Sequence, residues 1–440
     1  MLALATPVVL AEIGWIMMGV VDTIMVGRLG PEAIGAVGVG GSLFLMLAVF
    51  GVGLLLGLDT LVSQAFGAGR LDECHRWLHH GLALAIILGP VLMLLAWLGI
   101  DTLGVWGFDQ RVLRLLRPYL GIVVWSAWPL LFYVALRRYL QAMNIVKPIT
   151  FALVSANAIN AVANWVLVYG HWGATALGVP GAAWATLASR IYMAGVLGVV
   201  AVYCRPRLQT GLVGMPVGIE AARLWQLVRL GFPAAMQTVL EFGVFASATA
   251  LAGRLEPVAL AAHQIVLNIA GFTFMVPFGL ASAGAVRVGQ AVGRHDAEGA
   301  ARAGWTALGL GVAFMATAAT VFVVAPRPLL AVFTADAAVV RIGVSLLFIA
   351  AVFQMFDGIQ GVLTGTLRGL GDTHTPMVWN LAGHWFFGLP FGYALCFWRG
   401  WGVQGLWVGL SAGLISVGAV LLAVWGTRVR QLARQMGAGI

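Results

Sequence analysis

The chain has 440 residues, of which 61% are hydrophobic and 9% charged, and its mean hydropathy is +0.96. Soluble domains carry about 25% charged residues, so no stretch here reads as a water-soluble domain and the class is an all-α integral membrane protein. The net charge of +9 does not imply a nucleic-acid partner, because the arginines lie in short loops between apolar runs, as they do in the cytoplasmic loops of membrane proteins.

Taken in order, twelve apolar runs are predicted to span the bilayer, near 5–27, 33–63, 78–100, 115–137, 148–169, 178–203, 226–252, 258–290, 303–325, 338–366, 377–397 and 403–426. Each holds the roughly 20 residues needed to cross the hydrocarbon core. The first 27 residues lack a basic n-region and a cleavage site, so they read as a retained helix rather than a signal peptide. The long second, eighth and tenth runs are expected to tilt, kink or extend beyond the hydrocarbon. Turn chemistry marks the gaps at Gly30-Pro31, Gly67 to Gly69, Lys147-Pro148, Gly371-Asp372 and Thr375-Pro376. Cys74, Cys204 and Cys396 are widely spaced, with no CxxC and no histidine at ligand spacing, and read as unpaired packing residues.

The first and seventh runs are copies. Pro7, Gly27, Arg28, Leu29 and Pro31 match Pro233, Gly253, Arg254, Leu255 and Pro257 at a constant offset of 226. Gln64, Ala65 and Gly67 match Gln290, Ala291 and Gly293 at the same offset; Pro148 pairs with Pro376 at 228, and Gly178, Val179 and Gly181 pair with Gly402, Val403 and Gly405 at 224. Two six-helix units in the same order insert with the same topology, which makes them parallel repeats with a transport site expected at their interface. The domains implied are a six-helix half at 1–204, a cytoplasmic linker at 205–224 and a second half at 225–440.

Orientation follows from Lys and Arg. With the N-terminus inside, inner loops and tail hold 16 of them and outer loops hold 8, while Arg190 lies within the sixth run. Both termini are therefore expected in the cytoplasm, in a multi-pass protein of the cell inner membrane.

Acids inside the runs carry the functional reading, since an ionisable group in hydrocarbon must face a cavity or a partner. These are Glu12, Asp22, Glu241 and Asp357, with Asp59 near a run end and read as solvated. Glu12 lies nearer the inner end, where its side chain can snorkel. Phe353 and Gln354 stack on the face of Asp357, and Asn157, Asn160 and Asn164 form a polar stripe on the fifth run that must turn inward. The structural alternatives are a buried pair between an acid and Arg190, and interhelical hydrogen bonding by the asparagines.

The segments VDTIMVGRLG at 21–30, FPAAMQTVLEFG at 232–243, LAAHQIVLN at 260–268 and LRGLGDTHTPM at 367–377 resemble the multidrug and toxic compound extrusion (MATE) transporters, and most of all their NorM branch. The likeness covers essentially the whole chain. It implies a V-shaped pair of six-helix lobes exporting cationic drugs or dyes in exchange for Na⁺ or H⁺, with no other cofactor and as a monomer. By the same resemblance Asp22 corresponds to the essential first-helix acid, and Glu241 and Asp357 to the cation (Na⁺) site of the second lobe. Ser42 and Gln264 align with substrate-lining positions, and Asn160 and Asn164 with a polar pair near the first-helix acid. Phe353 stands where some relatives have a tyrosine. Asn164 replaces an aspartate of the archaeal branch, which leaves Asp22 without a carboxylate neighbour and argues against a first-lobe Na⁺ site.

A buried carboxyl group can take up a proton, Na⁺ or an organic cation. If these occupants exclude one another, an inward ion gradient drives cation export by alternating access. A major-facilitator transporter shares the six-plus-six plan, but the loop after the second run, FGAGRLDECHR, lacks that family's basic, glycine-anchored pattern. A lipid-linked oligosaccharide flippase of the same superfamily would need a basic cavity, and a passive channel stays open on sequence alone. An intramembrane enzyme would need a constellation around His263, which reads instead as a packing or substrate-contact residue; no HExxH or P-loop is present.

Overall fold

The computed structural model describes residues 1–105, 109–203 and 218–437, so Cys204 and the expected linker as far as residue 217 lie outside the described residues. The described residues are helical almost throughout and contain no strand. This is the outcome that lipid demands, since only a helix satisfies its backbone groups within one segment. Among the described residues, eleven helical stretches are long and apolar enough to cross a membrane. The remaining expected run, 377–397, is also helical but wound two ways: α-helix at His374–Asn380, π-helix at Leu381–Gly388, α-helix at Leu389–Tyr393 and π-helix at Ala394–Trp398. Pro390 lies within it and supplies no N–H, so the ladder must shift around that residue.

By packing, the chain divides into two compact units, Leu10–Ala235 and Met1–Val9 with Met236–Ile440. The first contains most of α1 (Leu2–Gly27), then α2 (Pro31–Leu55), α3 (Gly57–Gly67), α4 (Leu71–Thr102), α5 (Gln110–Val123), α6 (Ala127–Ala142), α7 (Lys147–Tyr169), α8 (Val179–Tyr203) and the start of α9 (Ala221–Ala252). Here α8 packs against α5, α6 and α7. The second contains the rest of α9, α10 (Pro257–Gly293), α11 (Ala297–Val324), α12 (Pro326–Ala331), α13 (Ala337–Leu370), α14 (His374–Asn380), α15 (Leu389–Tyr393) and α16 (Gly402–Gln435). Its hub is α13, which packs against α10, α11 and α16.

The packing boundaries therefore fall inside α1 and α9, not in the 205–224 segment that joins the sequence repeats. Gly279 of α10 lies against the backbone of Val9, and Gly53 of α2 lies against that of Ala235. These two contacts are related by the repeat offset: 53 to 279 and 9 to 235 are both 226 residues. Each needs a glycine because any Cβ would meet backbone.

Four side-chain placements correct the sequence reading. Asp59, read as solvated, is 0% exposed and pairs with Arg138 at 3.4 Å. Glu12, read as able to snorkel, is buried and pairs with Arg137. Arg137 and Arg138, counted among loop cations, lie within α6 and are buried. The cause is helix length. The run expected at 115–137 continues to Ala142, and that expected at 33–63 continues, past a break at Leu56, to Gly67. Residues placed at helix ends are thus interior ones. Removing one partner of a buried pair strands a charge and costs about 3–5 kcal/mol, whereas replacing both by apolar residues is often neutral. Arg137→Met is therefore expected to lower the thermal midpoint of the purified protein sharply. Combining it with Glu12→Leu should restore most of the loss. A double variant no better than the single one would show that the pair is not what holds α1 to α6.

Candidate functional site

Asp22, Asn160 and Asn164 meet, as their positions in the sequence suggest. Asp22 projects from the later turns of α1 and is 5% exposed. Its Oδ1 accepts from the Nδ2 groups of Asn160 (3.0 Å) and Asn164 (2.7 Å), both on α7. Its Oδ2 accepts from the Thr186 hydroxyl of α8 at 2.7 Å. One carboxylate thus joins three helices. The third asparagine behaves differently: Asn157 donates to the carbonyls of Gly14 and Leu153, at 3.0 Å each, and serves the α1–α7 contact. A carboxylate offers about four acceptor sites, so three donors leave room for a ligand.

That room is a cavity of about 360 Å³, walled by Asp22, Ser42, Thr186 and Arg190 and by the rings of Trp15, Phe44 and Tyr119. Gly40 lets the Tyr119 ring approach α2 closely, since a Cβ there would lie 2.6 Å from it. Ser42 is exposed and donates to the Gly38 carbonyl. Arg190 does not bury itself in a carboxylate pair. Its guanidinium lies 4.5 Å from the centre of the Phe44 ring and 5.8 Å from that of Trp15, and it donates to the Ser126 hydroxyl. Charge on a ring face is a favourable contact. Thr186 is the residue that sequence reasoning missed, along with the aromatic wall.

The second group lies in the other unit. Glu241 on α9 is half-buried, Asp357 on α13 is 5% exposed, and their charges are close enough to interact. Phe353 was expected to line a substrate site. It is 2% exposed and packed between Phe245 (6.1 Å) and Trp407 (5.6 Å), so its place is in the core. Gln354 donates to the Thr273 hydroxyl. Gln264 is exposed on α10. Its neighbour His263 is fully partnered: Nδ1 accepts from Trp407 Nε1 at 3.0 Å, and Nε2 lies 2.9 Å from the Thr249 hydroxyl, which donates on to the Phe245 carbonyl. The packing reading of His263 fits that network, and no group of three His, Cys, Asp or Glu able to hold a metal occurs among the described residues.

Membrane-length helices that carry partnered carboxylates inside them, one on the wall of an aromatic cavity, define a polytopic membrane transporter. The MatE family model matches residues 7–166 and 233–394, one copy in each half of the sequence repeat, and the chain belongs to that family of transporters. It is 38% identical over 437 residues to the probable multidrug resistance protein NorM of Mesorhizobium japonicum, covering 98% of this chain and 93% of the relative. It is 35% identical to the corresponding protein of Brucella suis, covering 96% and 92%. In fold it is similar to the eukaryotic MATE transporter AtDTX14, with a TM-score of 0.86 at 24% identity over 99% of this chain and 98% of that one. A MATE protein crystallised in a bent conformation gives a TM-score of 0.90 at 19% identity, over 99% and 96%.

Thr186→Val removes one of the three donors to Asp22 while keeping the shape of the side chain. A hydrogen bond to a charged group contributes about 1.5–3 kcal/mol, so the thermal midpoint of the purified protein should fall. Thr186→Ser, which keeps the hydroxyl, should melt close to wild type. Equal midpoints for the two variants would remove Thr186 from the site.

Proposed function

We propose that this protein is a multidrug efflux antiporter that exports organic cations in exchange for Na⁺ or H⁺ by alternating access. The observation that carries the proposal is the Asp22 carboxylate, held by neutral donors on the wall of a drug-sized cavity lined with aromatic rings. Ligand pockets of this kind are mostly apolar, with a few placed polar groups. A flat cation has ring faces to lie against and one carboxylate to neutralise it. The relatives named as multidrug resistance proteins support the same reading. We place the protein in the cell inner membrane as a monomer with both termini in the cytoplasm, on the Lys and Arg distribution.

Arg190 supplies a release step. While Asp22 is ionised, its charge offsets that of Arg190 on the same cavity wall. When a proton neutralises Asp22, the Arg190 charge is left facing the cavity, and a bound organic cation is repelled. The proton and the drug then compete for one carboxylate. In the other unit, Glu241 and Asp357 offer two hard oxygen donors, with no third acidic or histidine ligand among the described residues, and such donors suit Na⁺. Ser42 is the cavity residue best placed to contact the exported molecule, whereas Phe353 acts by packing beside Asp357 and Gln264 presents an exposed amide.

Two outcomes follow. An aromatic, carboxylate-bearing cavity favours cations by about 0.5–2 kcal/mol per well-placed ring, so competition between matched cationic and anionic dyes should favour export of the cation. Preferential anion export would sink the proposal. The two units should also divide the ions. Equilibrium Na⁺ binding to purified protein is expected to be lost in Asp357→Asn and in Glu241→Gln and to be largely kept in Asp22→Asn, while Asp22→Asn removes the pH dependence of export. If Asp22→Asn alone eliminates Na⁺ binding, the division is wrong.

A further inference from the structure

Four histidines are buried, His75, His80, His263 and His384. Three of them have partners. His75 Nδ1 lies 2.7 Å from the Tyr139 hydroxyl, His80 lies 2.7 Å from the Arg76 carbonyl and accepts from the Glu220 N–H, and His263 is bonded at both nitrogens. His384 is bonded at neither, although it is only 2% exposed. Four residues earlier, Asn380 is 0% exposed, and its amide oxygen and nitrogen are both without a protein partner. A buried polar atom left unsatisfied bears its full desolvation cost. Four such atoms on neighbouring positions of one helix are far outside what a dry core sustains.

Their setting is unusual as well. Both residues lie where the helix passes from α- to π-winding, and π-turns concentrate at functional sites. The facing helix is α16, which comes in closely through glycines: Gly413 meets the Gly383 carbonyl, and a Cβ on Gly413 would stand 3.3 Å from His384 Nδ1. The first half of the repeat offers a comparison. There the equivalent helix, α7, carries its polar pair at Asn160 and Asn164, and Asp22 and Thr186 close the set. At the repeat offset of 228 those asparagines become Gly388 and Gly392, and at 224 Thr186 becomes Leu410. The second half has therefore moved its polar pair along the helix and no longer closes it with an acid.

An uncharged carboxamide and an imidazole together offer both donors and acceptors. That combination matches a molecule which does both, and buried water makes about three such bonds. The turn is also tied to the acidic site. Trp385, next to His384, donates from Nε1 to the Leu240 carbonyl at 3.0 Å, and its ring lies over Gly243, where a Cβ would be 3.0 Å away. Leu240 and Gly243 flank Glu241. We propose that Asn380 and His384 form an internal water-binding site, and that its water supports the π-wound turn that sets Trp385 against the Glu241 turn. Trp385 is then a positioning residue for Glu241. The positioning half of this rests on the ion-coupled reading above; the water site does not.

Radiolytic hydroxyl labelling of the full-length wild-type protein in detergent tests the water directly, because radicals form from bound water beside the side chain they oxidise. His384 should label at least tenfold faster than His263, which is equally buried but fully bonded. Equal protection of the two would overturn the water site, whatever the protein transports. For positioning, Asn380→Leu combined with His384→Leu should melt no lower than wild type, since it removes the polar atoms. It should nonetheless weaken Na⁺ binding, or proton-driven export if the ion is H⁺, by fivefold or more, as should Trp385→Phe. His384→Gln, which keeps hydrogen-bonding capacity, should stay within twofold of wild type. Wild-type coupling in both the double-leucine variant and Trp385→Phe would overturn positioning, and if the double variant is not recovered, Trp385→Phe decides it. Absence of ion coupling in the wild type itself would instead overturn the functional reading, and positioning with it, leaving the labelling contrast to judge the site.

Discussion

Inside an apolar bundle a polar side chain has no water to turn to, so each buried charge must be met by donors or by an opposite charge from a neighbouring helix. This requirement organises the first unit. Asp22 draws α1, α7 and α8 to one point. The Glu12–Arg137 pair holds α1 to α6, and the Asp59–Arg138 pair holds α3 to the next residue of α6. Of the helices that wall the aromatic cavity, α1 and α8 are therefore held by electrostatic contacts, each of which would be costly to break. The cavity can expose a carboxylate to a ligand because the scaffold around it does not rely on that carboxylate alone.

At the positions equivalent to the Asp59–Arg138 pair, the second unit packs without an ion pair. At the repeat offsets, Asp59 corresponds to Ala285 and Arg138 to Thr366. Where the first unit has an ion pair, the second has Gly365 and Gly369 of α13 lying on the backbone of Ala281 and Ala285, with Thr366 near Gly284. Close backbone approach through small residues is an established way for helices to associate where hydrophobic driving force is absent. The reciprocal contacts Gly53–Ala235 and Gly279–Val9 belong to the same class and survive in both copies. Glycine contacts were retained across the repeat while its charges diverged, so the symmetric feature is the fold and the asymmetric feature is the chemistry.

Much of this was legible in the sequence, for physical reasons that also set its limits. Apolar runs and the offset repeats located the helices because lipid imposes both length and composition. Asp22 and the asparagine pair could be matched because a polar stripe on a membrane helix has few places to point. Thr186 could not be found that way, since a membrane threonine ordinarily bonds its own backbone four residues back, as Thr23 and Thr249 do. Asp59, Arg137 and Arg138 were misplaced because hydropathy ends a helix at its first charges, whereas α3 and α6 continue through them. Phe353 was read as a lining residue from its place beside Asp357, yet that same place lies under Trp407. The π-winding of residues 381–388 had no signal beyond Pro390, because a run of glycines and aromatics fixes no period.

The balance of charge explains why the two units are not interchangeable. In the first, Asp22 and Arg190 share a cavity wall, so the ionised site is close to neutral before any ligand enters. A proton on Asp22 would leave the Arg190 charge unbalanced on that wall. In the second, Glu241 and Asp357 interact with each other, and no ion pair to either occurs among the described residues. Two like charges in a low-dielectric interior repel strongly, so that pair lacks the internal balance that Asp22 has in Arg190. The balanced acid of the first unit and the like-charged pair of the second are therefore chemically different sites.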